Sequence, residues 1–173
     1  MNNTETETND LKANLISEFQ NFENNLNGEA ETAFHFIRRD AIENFKELGF
    51  PMKKLEDWKY TNLIPVLKNN FSQSFSEYTP AINKSDIEKY FIKDSGINLL
   101  VFVNGHYDKK LSHIETKNEN VFIGSFSDGM NDHKDIIEKH FGKYASYDKN
   151  GFIAVNTAFA KDGCFIYVKK NQE

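Results

Sequence analysis

Cysteine is nearly absent: Cys164 stands alone in a chain of 173 residues. One thiol can neither close an internal disulfide nor build a cysteine-based zinc site, so a reducing, cytoplasmic compartment is the expectation. Basic excess is missing too. The formal net charge is −5 with both signs interspersed, which argues against a nucleic-acid groove, since that needs a basic stripe to displace counterions. No apolar run approaches the roughly 18 residues of a membrane-spanning helix. The opening MNNTETETND is acidic and polar, unlike a signal peptide. The 9 glycines never fall into G-x-G-x-x-G or a Walker-type phosphate loop, so nucleotide binding has no support. The basic pairs Arg38-Arg39, Lys53-Lys54 and Lys109-Lys110 are short and read as solvated faces or local ion pairs.

Bulky aromatics are what the chain does have. Its 16 phenylalanines and 7 tyrosines each remove roughly 150–250 Å² from water when buried, enough for a real core. Residues 1–9 read as a disordered Thr/Glu/Asn tail. From Asp10, Leu15, Phe19, Phe22 and Leu26 recur at helical spacing, and Asn27-Gly28 ends that helix. A second stripe runs through Ala30, Phe34, Ile37, Ala41, Phe45 and Leu48, stopped by Gly49 and Pro51. Two such helices with a short joint predict an antiparallel hairpin. Thr61 is placed to cap a short helix through about Lys68, and residues 70–83 read as a long connection. Ser85 and Glu88 have capping-box spacing, opening a helix with Ile87, Tyr90 and Phe91 that Ser95-Gly96 ends.

Strand chemistry then takes over. Residues 98–103, NLLVFV, lead into Asn104-Gly105, the strongest short hairpin signal, with a return strand from His106 to about Lys109. Residues 120–124 are a further short strand. A helix is expected from about Asp132 to Phe141, with Ile136, Ile137, His140 and Phe141 inward and Gly142 as its stop. The run FIAVNTAFA leans to helix, with Phe152, Val155 and Phe159 at helical spacing. Residues 163–168 are the last strand. No internal repeat appears. The class is α+β, with a helical region over 10–95 and a mixed region over 96–173.

Candidate chemistry is sparse. His133 and His140 lie seven apart on one predicted helix, about 10 Å along the axis, too far to share a metal ion; a solvated acidic face with one packed histidine is the plainer reading. His106, Asp108 and Ser112 have the composition of a hydrolase triad, but no nucleophile elbow frames Ser112. Cys164 sits in an apolar strand and reads as a buried, inert thiol.

The least ordinary stretch is GFPMKKLEDWKYTNL, which holds the only tryptophan, Trp58, among charges. One reading makes Trp58 and Tyr60 packing anchors that fold back between the helical and strand halves, with Lys53 or Lys59 laid over a ring. Another makes the segment a docking site for a partner or peptide, as a self-contained adaptor would need.

Gly49, Pro51, Glu56, Asp57, Trp58, Lys59, Tyr60 and Thr61 closely resemble the N-terminal signature of the SufD family, scaffold subunits of the Suf iron–sulphur cluster assembly machinery. The resemblance extends to Arg39, Ala41, Phe45 and Leu48 upstream. Downstream it takes in the strand and hairpin of residues 100–105, with Asn104 and Gly105, then Leu111-Ser112 and residues 152–168 with Asn156. The E-[ED]-W-[KR]-Y-T frame points to SufD rather than its sister SufB. The resemblance implies a non-catalytic N-terminal domain of a cytoplasmic protein whose full-length form pairs with SufB and SufC. It further implies that a right-handed parallel β-helix follows and that residues 163–168 are its first rung. No cofactor is implied for this region, because the cluster is handled by the parent complex, and neither Cys164 nor the histidines become ligands by association. A final strand without that β-helix presents an edge at which two copies could pair.

Overall fold

A computed structural model describes residues 3–26, 32–69, 81–92 and 96–171. The connection expected over 70–83 lies largely outside them, as do Asn27-Gly28, Ala30 and Ser95. Chain contacts divide the molecule into two units: residues 1–75 with 138–160, and residues 76–137 with 161–173. The boundary expected near residue 95 is therefore not where contacts separate, since the helix drawn from FIAVNTAFA belongs to the first unit. The whole is a mixture of helices and small antiparallel strand pairs, an α+β fold.

The first unit is helical. Its α1 spans Asn3–Asn24 and α2 spans Ala33–Leu48. The backbone is helical through most of the segment expected to be a disordered tail; no Gly or Pro interrupts residues 3–24. Thr32 caps α2, its hydroxyl accepting from His35 N at 3.2 Å. Beyond lie α3, Ile64–Leu67, and α7, Gly151–Ala158, capped by the Asn150 side chain. Thr61 is not the α3 cap: the helix starts three residues later, after Leu63, which makes no side-chain cap.

The core brings Phe19 and Phe22 of α1, Ala41, Ile42 and Phe45 of α2, and Ala154 and Ala158 of α7 together. So the two-helix hairpin is incomplete as a description: the principal partner of α2 is α7, more than 100 residues away. Its seam also differs from the expected one. Gly151, Ala154, Thr157 and Ala158 are buried, while Phe152, Val155 and Phe159 flank them half-buried. Small residues at spacings of three and four let two helix backbones approach, and the large rings close the sides. On α2, Leu48 is 43% exposed, whereas His35 and Arg38 are buried.

That burial corrects the reading of a solvated face or local ion pair for Arg38, while Arg39 keeps to it. Arg38 lies 4.1 Å from the Phe34 ring centroid and 5.2 Å from that of Phe22. Its Nε donates to the Ala160 carbonyl at 2.9 Å, and Nη2 donates to the same oxygen. The guanidinium thus satisfies the carbonyl of the second residue past α7 and complements that helix's negative pole. Arg39 instead pairs with Glu23, which also accepts from His35 Nε2 at 2.8 Å.

In the second unit, Phe102–Val103 (β1) and His106–Tyr107 (β2) form a two-residue hairpin. The long strand expected over 98–103 shrinks to these two residues and a bridge from Leu99 to His113. Asn104 (φ 49°) and Gly105 (φ 83°) supply the two positive φ values of a type I′ turn. Val121–Ser125 (β3) pairs antiparallel with Cys164–Val168 (β4). The final strand is thus one of an antiparallel pair. Phe165 and Tyr167 point to the half-buried side and Cys164, Ile166 and Val168 to the exposed one. Cys164 is accordingly exposed, not buried: strand alternation decides its face, and the run's overall hydropathy does not.

Between these strands the expected helix from Asp132 is two helices, α5 (Phe126–Asp132) and α6 (Lys134–His140), broken at His133. Ser125 caps α5 by accepting from Asp128 N at 2.9 Å. Ile137 is buried, but His140 is exposed and meets Tyr144. The short α4, Lys84–Ile87, has its capping box two residues early: Asn83 accepts from Ser85 N, and Asp86 accepts from Asn83 N.

A Cβ at Gly151 would stand 1.8 Å from the Gly49 carbonyl oxygen. Gly151→Ala is therefore expected to lower stability by about 2–4 kcal/mol, read as a fall in thermal midpoint, with a changed Trp58 fluorescence as the 49–58 segment is displaced. The His35 hydrogen bond chiefly, with Arg39, holds the Glu23 carboxyl below its usual value of 4.5. A depressed acid contributes stability above its unfolded pKa and loses it as pH falls through the folded value. Urea midpoints of the wild type should drop below pH 4.5. Glu23→Gln should cost about 1–3 kcal/mol at pH 7 and flatten that acid limb.

Candidate interaction surface after helix α2

The segment from Gly49 to Thr61 is held by packing at one end and left open at the other. Gly49 has φ 63°, and its N–H donates to the Phe45 carbonyl at 2.8 Å, turning the chain off α2. The Phe50 ring then lies 5.1 Å from Phe45 and 5.6 Å from Phe152. Pro51 is buried. Backbone bonds from Leu55 N to the Met52 carbonyl and from Trp58 N to the Leu55 carbonyl, both 2.9 Å, lead into a single 3-10 turn, Glu56–Trp58. Trp58 is half-buried, its ring 5.5 Å from Phe152 on α7. It is an anchor within the helical unit.

Its neighbours face solvent. Glu56, Asp57, Lys59, Tyr60 and Thr61 are exposed, and Tyr60 is 90% accessible. The expectation that Tyr60 packs inward is corrected here: the 3-10 turn commits one side chain of the motif to α7 and rotates the next ones out. Lys59 pairs with Glu56, and its ammonium lies 5.1 Å from the Tyr60 ring centroid. A ring that is nine-tenths exposed contributes little to stability, so its surroundings suit contact with another molecule.

Beside this segment is a cleft of about 510 Å³, lined by Lys12 of α1 and by residues 48–50, 52–54 and 62–64. Lys12 could not be assigned to it from sequence, because it lies far from the motif in the chain; only folding brings α1 alongside.

The motif residues outside this segment are scattered. Asn104 and Gly105 form the hairpin turn in the second unit, and Asn156 is exposed on α7. The hydrolase grouping does not assemble. The Ser112 hydroxyl donates to the Asp108 carbonyl at 2.7 Å and accepts from Val101 N at 2.8 Å. The Asp108 carboxylate accepts from Lys110 N and Leu111 N at 2.9 and 3.0 Å. Both groups brace a turn. His133 is the packed histidine, its ring 4.8 Å from Phe122, 5.2 Å from Tyr167 and 5.9 Å from Phe165. Among the described residues no three His, Cys, Asp or Glu side chains converge on a point that would hold a metal ion, and no helix is long and apolar enough to cross a membrane. Trp58→Ala should lower the thermal midpoint, at a cost of about 1–3 kcal/mol, whereas Tyr60→Ala should change stability by less than about 0.5 kcal/mol in the same melt.

Comparison with known proteins identifies the family. A family described as the SufBD protein N-terminal region matches residues 9–173. The chain is 25% identical over 143 residues to the iron–sulphur cluster assembly protein SufD of Bacillus subtilis (strain 168), covering 78% of this chain and 31% of that protein. It is 37% identical over 51 residues to the iron–sulphur cluster assembly SufBD family protein ABCI9 of Arabidopsis thaliana, covering 30% of this chain and 11% of that one. The chain thus spans about a third or less of the length of these relatives. With a match that takes in both units and the Gly49–Thr61 motif alike, the chain belongs to the SufBD N-terminal region family.

Proposed function

We propose that this chain is the N-terminal, non-catalytic region of a SufD-like scaffold subunit that acts in iron–sulphur cluster assembly in the cytoplasm. Its parent assembles with SufB and SufC, and the cluster is the cargo of that complex, not a resident cofactor of this region. The observation that carries the reading is the family match over residues 9–173, joined to relatives whose names state cluster assembly. The surface agrees with it. The most distinctive motif presents an exposed Glu56-Asp57 pair, Lys59, Tyr60 and Thr61 on a segment that Phe50 and Trp58 pin to α7, which is how a rigid scaffold displays a contact site. Catalysis by Ser112 has no such support, because its hydroxyl already braces the backbone.

The test is co-expression of the full-length parent protein with SufB and SufC from the same organism. Co-elution of the three through affinity and size-exclusion steps is the expected result. A parent that purifies alone, while SufB and SufC still associate, would remove the assignment. Tyr60→Ala combined with Thr61→Ala in the parent should reduce co-elution without changing its melting temperature if the exposed motif takes part in assembly.

A further inference from the structure

The cleft beside the motif has a composition that neither the core nor the family motif explains. Its floor is apolar, formed by Leu48, Phe50, Met52, Leu63 and Ile64, with Leu48 43% exposed. Its rim carries Lys12, Lys53 and Lys54, with no carboxylate among the described residues that line it. In a chain of net charge −5, that is a local reversal of sign. None of the three lysines has an ion-pair partner among the described residues. Lys53 and Lys54 are exposed, and the Lys12 stem lies over the Gly49 backbone, 3.7 Å from where a Cβ would stand.

We propose that this cleft is a docking groove for an acidic amphipathic helix presented by a partner protein. Its volume, about 510 Å³, is in the range of roughly 300–1,000 Å³ typical of ligand-binding clefts. A small hydrated anion would satisfy the lysines and leave the apolar floor wet, whereas a purely apolar segment would leave three ammonium groups at its edge unanswered. A helix with leucine-like side chains at i, i+3 or i+4, and i+7, flanked by Asp or Glu, meets both demands. The walls argue against an extended peptide: they come from α1, the end of α2 and the chain entering α3, all in the helical unit, and offer no strand edge for backbone pairing. Opposite charge across the rim would speed encounter and make binding salt-sensitive. The inference depends on the cleft's own geometry and not on which proteins the parent assembles with.

The probe is a fluorescein-labelled synthetic helix with leucines on one face and glutamates elsewhere, titrated with the full chain by anisotropy. Two companions are used: one with every glutamate replaced by lysine, and one with every leucine replaced by alanine. The glutamate–leucine helix should bind, and its affinity should fall at least about tenfold between about 0.05 and 0.5 M salt. The variant Lys12→Glu, Lys53→Glu, Lys54→Glu should lose at least about tenfold in affinity with an unchanged circular dichroism melt, and Leu63→Ala should weaken binding as well. Lys139→Glu on the exposed face of α6 should bind like wild type. Equal binding of the lysine helix or of the alanine helix would overturn the proposal. Undiminished binding by the triple variant, displacement of the peptide by millimolar inorganic phosphate alone, or sedimentation showing the cleft closed by a second copy would each do the same.

Discussion

The close approach of Gly151 to the Gly49 carbonyl is the constraint on which the helical unit depends. Two chain segments a hundred residues apart touch backbone to backbone there, leaving no room for even a methyl group. Ala154 and Ala158 continue the same seam along α7, so that α2 can lie against it with Ile42 and Phe45 fully enclosed. Because Gly49 is also the residue that turns the chain off α2, that contact sets where the following motif starts. Phe50 and Trp58 then reach Phe152 on the same helix. The candidate surface is thus an outgrowth of the helix-packing seam, and its position inherits the seam's precision.

Charge is arranged to serve that packing. Arg38 is almost wholly enclosed between two phenylalanine rings, and both of its contacting nitrogens turn to one carbonyl at the end of α7. Burying a guanidinium is costly unless it is hydrogen-bonded, so this one ties α7 to α2 with direction as well as area. Glu23 serves α1 in a similar way, gathering His35 and Arg39 of α2 on one oxygen. The two arginines, adjacent in sequence, face different helices and have different roles, which follows from the roughly 100° turn between consecutive helical residues.

How much of this was legible depended on the range of the interaction involved. The type I′ turn at Asn104-Gly105 was readable because two residues carry the whole requirement, and α1, α2 and α7 were readable from apolar spacing. Long-range partners were not. The periodicity of residues 151–159 announces a helix, but large side chains look like the buried face until α2 supplies a neighbour close enough to demand small ones. Cys164 and Tyr60 were misplaced for a related reason. Cys164 sits in an apolar run and Tyr60 is a ring close to Trp58, yet strand alternation in one case and a 3-10 turn in the other rotate each to solvent. The α5–α6 break escaped notice because no Gly or Pro marks it: His133 leaves helical geometry with its imidazole packed on Phe122.

By itself the sequence determined the family, through the ordered blocks that surround Trp58, and the kinds of elements present, because motifs and periodicities are local chemistry. Only the tertiary structure decided which side chains share a site. It placed Lys12 beside Lys53 and Lys54, committed Trp58 to Phe152 while releasing Tyr60, and engaged Asp108 and Ser112 in a backbone turn. Those outcomes follow from contacts between residues far apart in the chain, where steric fit and hydrogen-bond satisfaction select one arrangement from many that the local pattern permits.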